Sequence, residues 1–163
     1  MAKAKGTLKC LSVAMMALMM VFAMTVGSFA ATESANAVTE YEVTFTKEDG
    51  SSSMANNTVT GNAVYDSEAQ TLTIPIEKQF MMRPYDGGFV IGHGCLQEIN
   101  ITGTSASGTA EWEATQIVIN NFVPNETNVY ETTMTVEVRD LSGNVVEIAD
   151  MIDAVTTMTL TAV

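Results

Sequence analysis

From residue 41 onward, apolar and polar side chains alternate. Tyr41, Val43 and Phe45 alternate with Glu42, Thr44 and Thr46, and Leu72, Ile74 and Ile76 with Thr71, Thr73, Pro75 and Glu77. Ile99 and Ile101, then Met134, Val136 and Val138, repeat the pattern. Ala154, Thr156, Met158, Leu160 and Ala162 share one face of the last segment. A period of two buries one face of a strand and leaves the other in water, which no helix can do with the same residues. The abundance of Thr, Val and Ile suits strands. Further strands are expected near residues 58–65, 110–119 and 145–149. Turn signals separate them: Asp49-Gly50, Asp86-Gly87-Gly88, Gly103 to Gly108, Pro124-Asn125 and Ser142-Gly143-Asn144. Seven or eight short strands predict an all-β, antiparallel β-sandwich. Pro75 inside its run predicts an edge or a bulge, and a single turn at residues 51–56 is the one helical signal in this stretch.

The first 37 residues read differently. Lys3, Lys5 and Lys9 precede an uncharged run over residues 10–26, and the small residues Gly27, Ser28 and Ala30 follow. Basic start, apolar run and small residues make a secretory signal peptide, with cuts expected after Ala30 or Ala37. The expected mature chain, residues 38–163, is one domain. It keeps Lys47, Lys78, Arg83 and Arg139 against eighteen acids, a net charge of −14. Six methionines and one cysteine, Cys95, stay with it. An exported chain with one cysteine has no internal disulfide, so packing alone must hold it.

Several functions are excluded. The acid excess opposes nucleic acid, which needs a basic footprint, and no stable membrane insertion is expected once the leader is gone. One His and one remaining Cys cannot supply a self-contained zinc or iron–sulfur site. His93 and Cys95 sit two apart in Gly92-His93-Gly94-Cys95 with no orienting Asn or Asp in view, and the flanking glycines suggest a tightly approached backbone. No calcium loop, nucleophile elbow, phosphate loop or dinucleotide fingerprint occurs. The chain is not expected to be an enzyme, and it is expected to bind through loops at one end of the sandwich.

Two segments carry a family likeness. The first runs Tyr41-Glu42-Val43-Thr44-Phe45, then Ser51-Ser52-Ser53-Met54-Ala55-Asn56, then Thr71-Leu72-Thr73-Ile74. The second runs Thr133-Met134-Thr135-Val136-Glu137-Val138-Arg139-Asp140-Leu141-Ser142 and ends in a segment over residues 151–160. This order resembles the NEAT (near-iron-transporter) domain, a secreted or surface-attached, immunoglobulin-like sandwich of Gram-positive bacteria. The resemblance implies haem binding, a role in haem and iron acquisition, and a short 3-10 turn at the Ser-rich segment.

The sequence departs from that family at its iron ligand. Haem-binding members carry Tyr-x-x-x-Tyr on the last strand, and the first Tyr ligates iron. Here no Tyr follows Tyr130. A methionine thioether is an accepted axial ligand, so the resemblance makes Met54, in the short turn, and Met158, on the last strand, the axial candidates. Ser53, Met81, Met82, Met151 and Ala154 are the expected pocket residues. The same methionines also suit a core, where they fill gaps.

Two functions follow. One is a carrier that takes haem, alone or from a haem protein, and passes it to a surface receptor. No Leu-Pro-x-Thr-Gly signal is seen, so release is expected over wall anchoring. The other is a protein-interaction or adhesion module on the same fold that has lost haem.

Overall fold

The computed structural model describes residues 38–163. The leader and its cut sites lie outside the described residues. The described residues form a compact unit with its own apolar core. Its strands are β1 (Val38–Lys47), β2 (Ala63–Asp66), β3 (Thr71–Pro75), β4 (Gln79–Tyr85), β5 (Gly88–Ile101), β6 (Ser107–Thr109), β7 (Gln116–Ile119), β8 (Val129–Asp140) and β9 (Ala154–Ala162). Two 3-10 turns interrupt them, η1 (Met54–Asn57) and η2 (Ala149–Met151).

The strands form one antiparallel sheet in the order β4-β5-β8-β9-β1-β2-β3-β7, with β6 paired to β5. The sheet curls until β6 meets β7, where Ser107 and Asn120 exchange backbone hydrogen bonds of 3.3 and 2.9 Å. Eight strands thereby enclose the core, and β4 remains outside the ring on the first half of β5. This is the all-β, immunoglobulin-like antiparallel sandwich that the alternation predicts, with nine strands instead of seven or eight.

The faces follow the period of two. Tyr41, Val43 and Phe45 of β1 point inward, as do Tyr130, Thr132, Met134, Val136 and Val138 of β8, and Thr156, Met158 and Leu160 of β9. In β5 a bulge between Leu96 and Glu98 switches the parity: Val90 and Leu96 face the core before it, Ile99 and Ile101 after it. Asp86 and Gly87 close the β4–β5 hairpin with φ of +45° and +76°, the two-residue turn whose twist suits paired strands. Tyr130 Oη accepts the Asn125 backbone N–H at 2.9 Å and ties the start of β8 to the loop before it.

Three expected strands need correction. The one at residues 58–65 is confined to Ala63–Asp66, with Val59 making a single bridge to Ile76. The one at 110–119 is confined to Gln116–Ile119. The one at 145–149 is absent: Val145 makes one bridge to Arg139, and the chain then turns into η2. Ile148 and Met151 are both buried although three residues apart. A strand would send them to opposite faces, whereas a turn closed by Met151 N–H on the Ile148 carbonyl brings both inward. Pro75 ends β3, past the pairs that β2 makes.

Candidate functional site

The segment after β1 is held by one side chain. Asn56 Oδ1 accepts the Phe45 N–H at 2.7 Å, and Asn56 Nδ2 donates to the Phe45 carbonyl at 2.7 Å. The amide thus completes β1 where β2 no longer reaches it. Ser53 caps the turn, its Oγ accepting the Ala55 N–H at 3.3 Å. Thr58 closes it by donating to the Ala55 carbonyl at 2.8 Å. Together these bonds fix where Met54 stands.

Met54 forms one lip of a cavity of about 400 Å³, within the ~300–1,000 Å³ typical of small-molecule pockets. Its floor is Met134 and Val136 of β8 with Ala154, Val155 and Thr156 of β9. Met151 and Asp150 of η2 form the far side, and Lys47, Glu48, Asp49 and Arg83 stand at the rim. Apolar side chains share the lining with Ser53 and Thr156 and with five charged residues, Lys47, Glu48, Asp49, Arg83 and Asp150. A guanidinium crosses the rim: Arg83, reaching in from β4, donates to Met54 Sδ at 3.1 Å and to Asp150 Oδ2 at 2.8 Å. It ties the two 3-10 turns together. The Ser51 hydroxyl and backbone N–H, both donating to Asp49, hold that carboxyl below the usual carboxylate range, so the rim keeps a fixed negative charge beside Lys47.

Four of the seven residues singled out from sequence meet here: Ser53, Met54, Met151 and Ala154. The other three stand elsewhere. Met158 is 0% exposed, paired with Phe45 on one side and Tyr130 on the other. It lies four residues beyond Ala154, about 13 Å along an extended strand. Met158 is therefore a core residue and does not line this cavity, so the structure does not bring it together with Met54 there. Met81 points inward but lines a separate void of about 20 Å³ with Met54, Met151 and Gly94, room for about one water. Met82 is 62% exposed on the outer face of β4 and lines neither space.

Sequence reasoning missed Met134, Arg83, Lys47 and Asp150. Met134 was visible only as one member of an alternation. The two cations had a usable signal: residues 38–163 hold four basic side chains, and two of them come to this rim.

The remaining cations, Lys78 and Arg139, stand 5.7 and 4.5 Å from the Trp112 ring centre. They pair with Glu113 and Glu137. His93 lies on the same side, opposite Arg139 and edge-on to Phe80. Cys95 is fully buried, and desolvation pushes its thiol pKa up, opposite to an activated nucleophile. Gly92 and Gly94 are tightly approached, as their spacing suggested: a Cβ on Gly92 would overlap the Arg139 backbone, and one on Gly94 would lie 2.9 Å from Met81 Sδ. Among the described residues no group of three or more His, Cys, Asp or Glu side chains is placed to hold a metal ion. Among them, too, no helix is long and apolar enough to cross a membrane.

The fold and the site thus define an antiparallel β-sandwich with a methionine-lined cavity between a 3-10 turn and the β8–η2–β9 segment. No protein-family model and no curated protein matches the sequence. A solved structure, the NEAT5 domain of IsdX2, a B. anthracis hemophore in complex with heme, aligns with a TM-score of 0.41 at 10% identity. The alignment covers 77% of this chain and 96% of that one.

Proposed function

We propose that this chain is an exported, non-enzymatic binding domain that takes haem into the cavity beside η1 and serves haem and iron acquisition outside the cell. The observation that carries the reading is the convergence of three thioethers, Met54, Met134 and Met151, on one cavity that also brings in Lys47 and Arg83. A porphyrin needs an apolar slot and one or two iron ligands. Met54, at the lip of the cavity and not in the core, replaces Met158 as the leading candidate to hold the iron, with Met151 as the alternative thioether. Met134, Val136 and Ala154 would lie along the ring, and Arg83 and Lys47 would meet its carboxylates at the rim. When bound, the iron would supply only the coordination that anchors the ring; the chain's own residues do the rest. The leader pattern over residues 1–37 supports export.

Titration of residues 38–163 with haemin, followed by absorbance, tests the reading. A saturable Soret shift that weakens in Met54→Ala is expected. No uptake at micromolar protein (about 8 kcal/mol of binding) would overturn it. The second reading, an interaction module without haem, is favoured by a separate feature, the exposed apolar face of the β4–β5 hairpin.

A further inference from the structure

The outer face of the β4–β5 hairpin is apolar along its length, unlike those of the other long strands. β1 sends Glu40, Glu42 and Thr44 outward after Val38, and the outer side of β9 carries Thr157, Thr159 and Thr161 after Val155. The hairpin instead pairs Met82 with Ile91 and Pro84 with Phe89 across its outer face, with Phe80 opposite His93 at one end. Phe80, Met82 and Phe89 are 63%, 62% and 67% exposed, Ile91 is 42% exposed, and Leu141 continues the patch beside Ile91 at 69%. None of the hairpin's own outward side chains is acidic, on a domain of net charge −14, and Asp140 stands at the border between Ile91 and Leu141.

Its size matters. With about 150–250 Å² for a large side chain, these residues leave on the order of 500 Å² of apolar surface uncovered, near the upper end for the largest patch of a monomer. Two such faces packed together remove about 1,000 Å², the lower bound of a specific interface. Charge does not oppose the contact: at the Phe80 end Lys78 and Arg139 are already paired with Glu113 and Glu137, and Asp86 stands at the turn beyond Phe89, so apolar area carries it. Edge pairing is the poorer alternative. Tyr85 and Gly88 close the two-residue turn as a hydrogen-bonded pair, so position 84 turns its backbone nitrogen to the free edge, where proline has no donor.

We infer that the domain forms a two-fold dimer with a second copy of itself, packed face to face through the β4–β5 hairpin. The interface is small, so the dimer is weak, with a dissociation constant in the micromolar range. The cavity beside η1 lies outside it.

Sedimentation velocity of residues 38–163 across a concentration series tests this. A monomer–dimer equilibrium is expected. Phe80→Asp and Phe89→Asp each weaken it at least tenfold while leaving the melting curve in place, because both side chains point into water in the monomer. Val123→Asp, at an equally exposed apolar position off the hairpin, leaves the equilibrium unchanged. A second measurement does not depend on charge insertion: Met82→Cys yields a disulfide dimer on air oxidation, since Cys95 is buried and inert. A monomer at every concentration overturns the inference, as does a dimer indifferent to both aspartates. A monomer that instead floats with phosphatidylcholine vesicles overturns it in favour of a lipid surface.

Discussion

Arg83 Nη1 donates to Met54 Sδ at 3.1 Å, so the sulfur that faces the cavity is held by a guanidinium from the strand outside the ring. The same guanidinium pairs with Asp150. Asp150 is 59% exposed at its side chain and Arg83 24%, and ion pairs of that kind contribute less than about 1 kcal/mol. Arg83→Ala is therefore expected to shift the melting temperature little. Its effect should appear at the thioether. Oxidation of Met54 by peroxide, followed by peptide mass spectrometry, is expected to speed up severalfold once the guanidinium is gone, while Met158 stays protected in both proteins. Equal Met54 rates in the two proteins would show that the contact does not persist in solution.

Met54 and Met158 should separate cleanly by mutation. Met158 fills the core between Phe45 and Tyr130, and truncating a buried methionine costs about 2–5 kcal/mol. Met158→Ala should lose stability of that size in urea, and its haemin titration should change only as far as the fold does. Met54 is partly exposed, so Met54→Ala should cost less than about 1 kcal/mol and lose most of the Soret shift. A fully stable Met158→Ala protein that no longer takes haemin would reverse the assignment made above.

Asn56 makes a third prediction. Its amide satisfies both the N–H and the carbonyl of Phe45, each at 2.7 Å, and its Nδ2 also donates to Ser52 Oγ at 2.9 Å. Removing it strands the partly buried Phe45 N–H, at a cost of about 1–3 kcal/mol. Asn56→Ala should lower stability by that amount and loosen η1, which hydrogen exchange at Ala55 and Thr58 would register. Asn56→Asp keeps the acceptor for Phe45 N–H and loses only the donor, so it should fall between.

The sequence carried the faces of β1, β3, β8 and β9 because each buries one side only, and that asymmetry is what a period of two records. The Ser-rich turn was legible for a related reason: Ser53 is a good cap, and a short break in the alternation leaves room for one turn. The β4–β5 hairpin was not legible. Its outer face is as apolar as its inner one, and Gly92 and Gly94 stand where inward apolar residues would have marked the period. Of the fourteen residues that line the candidate cavity, four were singled out from the sequence, Ser53, Met54, Met151 and Ala154. Arg83 and Met134 come from strands far away in the chain, and no local spacing links them to Met54. Met158 lies in the core and not along this cavity, because the alternation that puts it on the face of Ala154 says nothing about how far along the strand the cavity ends.

Gly92 tests how tightly β5 and β8 are packed. A methyl group there would overlap the Arg139 carbonyl oxygen and lie 2.9 Å from the Asp140 Cα. Both obstacles are backbone, so no side-chain rotation relieves them. Gly92→Ala is expected to cost about 3 kcal/mol, seen as a large drop in the urea midpoint. Gly50, at φ of +79° with nothing within 4 Å, should lose only about 1 kcal/mol on the same change, from backbone conformation alone.

The loop after β8 should make stability depend on pH in the acid range. Asp140 Oδ2 accepts the Asn144 side-chain amide at 3.0 Å, and Oδ1 accepts the Ser142 and Asn144 N–H groups at 2.8 and 2.9 Å. These bonds favour the ionised carboxyl and hold its pKa below the ordinary carboxylate value, the Asn144 side chain contributing most. In the unfolded chain those bonds are gone and the pKa returns to its ordinary value. A group lowered on folding stabilises the fold fully above the unfolded pKa, and that contribution is lost as pH falls through the folded one. Asp140→Ala should therefore melt below the parent at neutral pH, and the gap should narrow through the carboxylate range and close in strong acid. Melting curves of the two proteins across that range decide it. A gap that stays constant into strong acid would mean that Asp140 acts through its shape and not its charge.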